Sequence, residues 1–169
     1  MDDGSEIFDV VDSEDRVIGK ATRREVHARG LLHRSVHILV FNEKGELFLQ
    51  KRAMSKDENP GYWDTSAAGH VSAGDDYRVT AHRELDEELG IRENLKPFLR
   101  IQACAETFWE HVECYTCITR QRIRINPHEI EEGRYWSIRE IQQALQTGRP
   151  AFTSSFKLLF RKYLETGIR

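Results

Sequence analysis

The chain has 169 residues, 39% of them hydrophobic and 31% charged. That balance fills a core and excludes wholesale disorder, and no apolar run is long enough for a membrane helix. Lys and Arg number 25 against 28 Asp and Glu, a net charge of −3, which excludes broad binding to nucleic acid polymers by counterion release and leaves small polyanions as the charged partners to expect.

The length suits one domain spanning residues 1–169. The opening Met1-Asp2-Asp3-Gly4-Ser5-Glu6 lacks the basic and then apolar pattern of a secretory signal. Three cysteines (Cys104, Cys114, Cys117) are an odd count at low density. A reducing, cytoplasmic location is the expectation.

Glu6–Val11 and Arg16–Thr22 flank the polar turn Asp12-Ser13-Glu14-Asp15 and predict an opening hairpin. Val36–Phe41 and Glu46–Arg52 flank Asn42-Glu43-Lys44-Gly45, where Asn and Gly allow a tight reversal, and predict a second. From Asp76 to Leu89 the period changes: Ala81, Leu85 and Leu89 recur every four residues and Gly90 follows as a C-cap, so a helix is expected. Strands are expected at Phe98–Glu106, Val112–Arg120 and Arg134–Trp136. Ser137-x-x-Glu140 is a capping-box pattern ahead of Ile141 and Leu145, and Gly148-Arg149-Pro150 closes that helix. A last helix, Ser155–Thr166, carries Phe156, Leu159, Phe160 and Tyr163 at helical spacing. The whole reads as a mixed α/β protein. Its apolar residues suit a core or a dimer contact, so monomer and homodimer both stay open.

The chemistry-bearing segment is Arg83-Glu84-Leu85-Asp86-Glu87-Glu88-Leu89. At ~100° per residue, Glu87 and Glu88 fall roughly 60° to either side of Glu84 or nearer, while Ala81, Leu85 and Leu89 occupy the adjoining arc. Side chains three and four apart on a helix stand about 5–6 Å apart at Cβ, so the three acids repel one another unless a cation compensates. Hard oxygen ligands with no thiolate nearby favour Mg²⁺ or Mn²⁺. A solvated acidic face is the alternative.

With Gly69 upstream and Gly90-Ile91 downstream, the segment 69–91 resembles the Nudix box, G-x5-E-x7-R-E-U-x-E-E-x-G-U with U aliphatic. Six fixed letters at average frequencies of about 6% give a chance match below about 10⁻⁷ per position, which favours the box over the solvated face. One position departs: Asp75 stands where the family has Glu, one methylene shorter. The resemblance implies an α/β/α sandwich with a mixed β-sheet and a divalent-metal-dependent hydrolase that cleaves a diphosphate linkage in a nucleoside di- or triphosphate or a nucleotide-linked metabolite. It implies Glu84 and Glu88 as metal ligands, Glu87 as a further ligand or a catalytic acid, and the Gly69 carbonyl as another ligand. It also implies Arg83 as the residue orienting a catalytic carboxylate. The general base comes from the box or from a later loop, where Glu129 is the candidate.

Outside the box, Phe41-Asn42-Glu43-Lys44-Gly45-Glu46-Leu47, Lys51-Arg52-Ala53-Met54-Ser55-Lys56 and Pro60-Gly61-Tyr62-Trp63 resemble the branch of type 1 isopentenyl-diphosphate isomerases. There, Arg52, Lys56 and Arg23 fall at or near positions that grip the substrate diphosphate. The isomerase's catalytic cysteine is replaced by Ala68, whose methyl transfers no proton, so hydrolysis is expected ahead of isomerisation; a ligand-binding module without turnover is a further alternative left open by Asp75. His27, His33, His70 and Glu113 align with a second metal site, and His111 falls where that site has a carboxylate. Phe152, Phe156 and Trp109 are candidates either to cover a substrate or to pack in the core. Cys114 and Cys117, three apart in a predicted strand, point to opposite faces and read as core thiols rather than zinc ligands.

Overall fold

The computed structural model describes residues 3–167. The elements are β1 (Ile7–Val11), β2 (Val17–Thr22), α1 (Arg23–Arg29), β3 (His33–Phe41), β4 (Leu47–Arg52), β5 (Trp63–Asp64), β6 (Ala67–His70), α2 (Tyr77–Leu89), β7 (Lys96–Ile101), β8 (Glu110–Ile118), β9 (Ile130–Trp136), α3 (Ile138–Thr147) and α4 (Ser154–Thr166). The first two strands form a separate antiparallel ribbon, and the other seven form a mixed sheet ordered β5-β4-β3-β8-β7, with β6 also on β3 and β9 also on β4.

Capping chemistry sets the helix ends as the sequence predicts. Asp76 accepts from Val79 N at the start of α2, and Gly90 at φ 65° closes it. Ser137 and Glu140 complete the capping box of α3. The sheet is covered on both sides. Val36, Ile38, Val40 and Tyr115 face Ala81, Leu85 and Leu89 of α2. Leu39, Phe41, Val112 and Cys114 face Ile141 of α3 and Phe156 and Phe160 of α4. Cys114 and Cys117 fall in opposite layers, as their odd spacing requires.

Several expectations need correction. Helix α1 was not anticipated, although Thr22 and Glu25 form a capping box at its start; seven residues carry too little apolar period to announce a helix. The strand expected at Phe98–Glu106 ends at Ile101, after which Ala105–Thr107 makes a 3-10 turn and Phe108 and Trp109 take left-handed conformations (φ 54° and 63°). Strand β9 begins at Ile130, four residues before the expected Arg134. Phe152 and Phe156 are buried and stack on each other with centroids 5.2 Å apart, which removes them as substrate covers, and Trp109 lies outside the cavity described below.

One topological detail positions the site. Strands β3 and β4 pair only at Val40–Phe48 and Phe41–Leu47; beyond that point β6 takes the place beside β3, along Ser35–Ile38. The sheet therefore forks.

Candidate active site

A cavity of about 540 Å³ opens at the fork, bounded on one side by the acids of α2 and on the other by side chains from β3, β8 and the start of α4. Glu84 lies against the backbone of β6: a Cβ on Gly69 would come within 2.4 Å of Glu84 Cδ, so glycine is what lets this carboxylate tuck in. Glu88 is buried, accepts from Gln50 Nε2 at 2.9 Å, and lies 3.4 Å from Ala68 N. Burial, reinforced by the neighbouring carboxylates, raises Glu84 to about 7 and lifts Glu88 well above the usual range. Glu87 stands exposed at the cavity rim.

A buried and a half-buried carboxylate whose ionisation burial opposes, with a glycine backbone against one of them, suit a hard divalent cation. The donor set fits.

Arg83 donates to Asp75 Oδ2 at 2.8 Å and stands 3.9 Å from Glu84 Oε1. The shorter acid at 75 thus still reaches the box arginine. All three expected phosphate-gripping cations, Arg23, Arg52 and Lys56, line the cavity. Arg52 donates to Glu58 O at 2.9 Å and pairs with Asp64 at 3.4 Å. Lys56 is paired with Glu129. Burial alone would raise Glu129, but the Lys56 ammonium reverses this and holds it below the ordinary carboxylate range. The loop that carries Glu129 is tied to the end of α2 by Arg124 N to Leu89 O and Asn126 N to Glu88 O, both 2.9 Å, so the loop acid and the helix acids share one cavity.

Arg23, the third cation, is buried and donates from a terminal guanidinium nitrogen to His70 Nδ1 at 3.0 Å. His27, His33 and His70 cluster with ligand atoms within 4.8 Å of one another. His33 Nδ1 donates to Leu31 O at 2.9 Å and its Nε2 is buried without a hydrogen-bond partner among the described residues, the arrangement of a ligand oriented by its second shell. His70 differs. Guanidinium is donor only, so Nδ1 is the acceptor and the proton of the neutral ring sits on Nε2, 3.2 Å from Glu110 Oε1. His70 therefore has no free lone pair for a metal while Arg23 holds it. Burial lowers both rings, His33 to about 4 and His70 to about 3.

The fourth member of this cluster is Glu110, not Glu113. The parallel β3–β8 register sets Glu110 opposite His33, whereas Glu113, three residues on, points to the other face, where it accepts from Tyr115 Oη at 2.5 Å and pairs with Arg100 at 2.8 Å. His111 is also spoken for: its ring bonds Asp12 O at 2.9 Å and accepts from Ala103 N at 3.1 Å.

Sequence reading missed Gln50, Ser35, His37, Asp64 and Glu110. A signal existed. Gln50 ends the apolar run Leu47-Phe48-Leu49, and His33, Ser35 and His37 alternate with Val36 and Ile38, placing polar side chains on a face that a sandwich would bury.

The description "NUDIX domain" matches residues 31–156. An uncharacterized Nudix hydrolase of Pseudomonas aeruginosa is 40% identical over 134 residues, covering 78% of each chain. An isopentenyl-diphosphate Delta-isomerase of Pectobacterium atrosepticum is 34% identical over 160 residues, 90% of this chain and 88% of the relative. A crystal structure of a Deinococcus radiodurans protein superposes with a TM-score of 0.82 at 24% identity, covering 92% of this chain and 98% of its own. With the box on α2 and a matching domain over three quarters of its length, the chain belongs to the Nudix family of hydrolases.

Proposed function

We propose that the protein is a divalent-metal-dependent pyrophosphohydrolase acting on a small-molecule diphosphate, in the class of nucleoside di- and triphosphates and nucleotide-linked metabolites. The observation that carries this reading is the pair Glu84 and Glu88, carboxylates one helical turn apart, the first half-buried and the second almost fully buried, whose ionisation burial opposes in a cavity that Arg52 and Lys56 also line. Glu84 and Glu88, with Glu87 at the rim and the Gly69 carbonyl, would hold Mg²⁺ or Mn²⁺, whose chemistry there is to activate water and neutralise charge on the leaving phosphate.

Arg52 and Lys56, with Arg23 on the same cavity wall, bind and orient the diphosphate. Arg83, fixed by Asp75, orients the box carboxylates. Glu129 or Glu87 takes the proton of the attacking water. Lys56 keeps Glu129 ionised and so able to accept a proton, at the cost of basicity. Isomerase chemistry is disfavoured because Ala68, a cavity residue, offers no proton.

The test is phosphate release from a panel of nucleoside di- and triphosphates and nucleotide-linked metabolites with Mg²⁺ or Mn²⁺, wild type against Glu88→Gln. The variant should stay folded and lose at least about a hundredfold in turnover. Near-full activity in the variant would refute the ligand assignment, and ligand binding with no turnover in either protein would favour a binding module.

A further inference from the structure

Helix α1 brings two kinds of residue to one place. Thr22 caps it, and Arg23 and His27, one turn apart, stand on the same face. His27 meets His33 and His70 there, with ring centroids between 5.3 and 5.6 Å apart. Judged by residue type alone, three histidines this close suit a transition metal. The hydrogen bonds of His70 say otherwise. Arg23 Nη1 lies 3.0 Å from His70 Nδ1; a guanidinium only donates, so Nδ1 is the acceptor and Nε2 carries the ring proton toward Glu110 Oε1 at 3.2 Å. Neither nitrogen presents a lone pair to an ion. Phe8 packs on the ring with centroids 4.9 Å apart, and the backbone of His70 is fixed opposite Ser35 in the β3–β6 ladder, so the ring is held in this orientation. An ion would have to draw on His27 and His33 alone or strip Glu110 from His70. It would also set a second positive charge near a guanidinium that is 6% exposed, where water screens little.

We propose that the histidine cluster is a socket for the Arg23 guanidinium that keeps a metal ion out, with Glu110 and His70 as positioning residues that hold Arg23 against the cavity wall. Glu110 fixes the tautomer and His70 supplies the acceptor. The guanidinium fork has further N–H groups with which to meet a phosphate. The diphosphate role rests on the hydrolase reading above; the exclusion of metal does not.

Zn²⁺ is the probe for the socket, with Mg²⁺ in excess to fill the box carboxylates. Long-range nitrogen–proton NMR correlations should show wild-type His70 unprotonated at Nδ1 and protonated at Nε2, and equimolar Zn²⁺ should leave the rings of His27, His33 and His70 unshifted. Arg23→Ala should bind Zn²⁺ at these three rings about a hundredfold more tightly than wild type, and Arg23→Lys should exclude it again. A proton on Nδ1 of His70, a joint shift of the three rings in wild type, or rings that Zn²⁺ leaves unmoved in Arg23→Ala overturns the inference. The first two are read on the wild-type protein, whatever the folding of the variants. Positioning is read from binding of inorganic pyrophosphate with Mg²⁺. Arg23→Ala and His70→Leu should each weaken it about tenfold, and the double variant no further than either alone. His70→Gln, whose amide oxygen can still accept from Arg23, should recover most of the loss. Unchanged binding in His70→Leu, or losses that add, overturns the positioning role. If wild type binds no pyrophosphate, the diphosphate role falls with the hydrolase reading, and the Zn²⁺ results still decide what the cluster holds.

Discussion

Gln50 Nε2 donates to Glu88 Oε1 at 2.9 Å, and both side chains are almost fully buried. The same amide nitrogen lies 3.2 Å from Ser66 O, so its position is fixed from two sides and the carboxylate is held toward the cavity. Gln50→Leu keeps the volume and removes the donor. We expect the Mg²⁺ concentration needed for half-maximal activity to rise about ten- to a hundredfold, with a melting temperature close to wild type in EDTA. An unchanged metal requirement would mean that Glu88 needs no support from β4.

Glu84 carries a stability signature of its own. Its folded value of about 7 lies above the ordinary 4.5, so its contribution is intact below pH 4.5 and is lost as pH rises through 7. The metal-free protein should therefore weaken between pH 4.5 and 7, by up to about 3 kcal/mol from this residue at about 1.36 kcal/mol per unit. Glu84→Gln removes the ionisation: denaturant melts in EDTA should show a flatter alkaline limb, and Mg²⁺ should raise the melting temperature of wild type but not of the variant. Equal Mg²⁺ stabilisation of both proteins would contradict the assignment of Glu84 as a ligand.

Local signals in the sequence were sufficient for elements whose ends are chemical. Asp76, Ser137, Gly90 and Gly148 act at their own positions, so the bounds of α2 and α3 could be read directly. The box acids were legible for the same reason, because helical spacing alone puts Glu84 and Glu88 on one arc. What could not be read depends on register between distant strands. Whether Glu110 or Glu113 joins the histidines is set by the pairing of β8 with β3, and an error of three residues exchanges one face for the other. Gln50 is likewise connected to Glu88 only through the fork of the sheet, 38 residues away in the chain.

The histidine cluster predicts the opposite pH limb. His33 is 1% exposed and titrates near 4 when folded, against 6.5 as its ordinary value. The unfolded chain takes up its proton first, so stability is intact above pH 6.5 and falls as pH drops toward 4, by at most about 3 kcal/mol. His70, lowered to about 3, adds in the same direction. His33→Leu should be less stable at pH 7.5, because the parallel stack on Phe8 at 5.7 Å is lost, yet its stability should fall less steeply between pH 6.5 and 4. Identical acid slopes for variant and wild type would show that His33 stays accessible to protons in the fold.

Gly69→Ala separates the placement of the acid from the stability of the fold. The added Cβ would lie 2.4 Å from Glu84 Cδ and 2.5 Å from Oε1, closer than a Cβ atom approaches a non-bonded neighbour. The obstructing atoms are the end of a flexible side chain, so Glu84 can swing aside while β6 keeps its pairing with β3 along Ser35–Ile38. The melting temperature in EDTA should stay within a few degrees of wild type, in the range of about 1 kcal/mol for a chain of this size. Turnover should fall at least about a hundredfold and Mg²⁺ should no longer protect the protein, since displacement of a ligand by an ångström forfeits most of what geometry supplies. An alanine variant that melts normally and still turns over at the wild-type rate would place the working carboxylate elsewhere on α2, with Glu87 the acid next in line at the cavity rim.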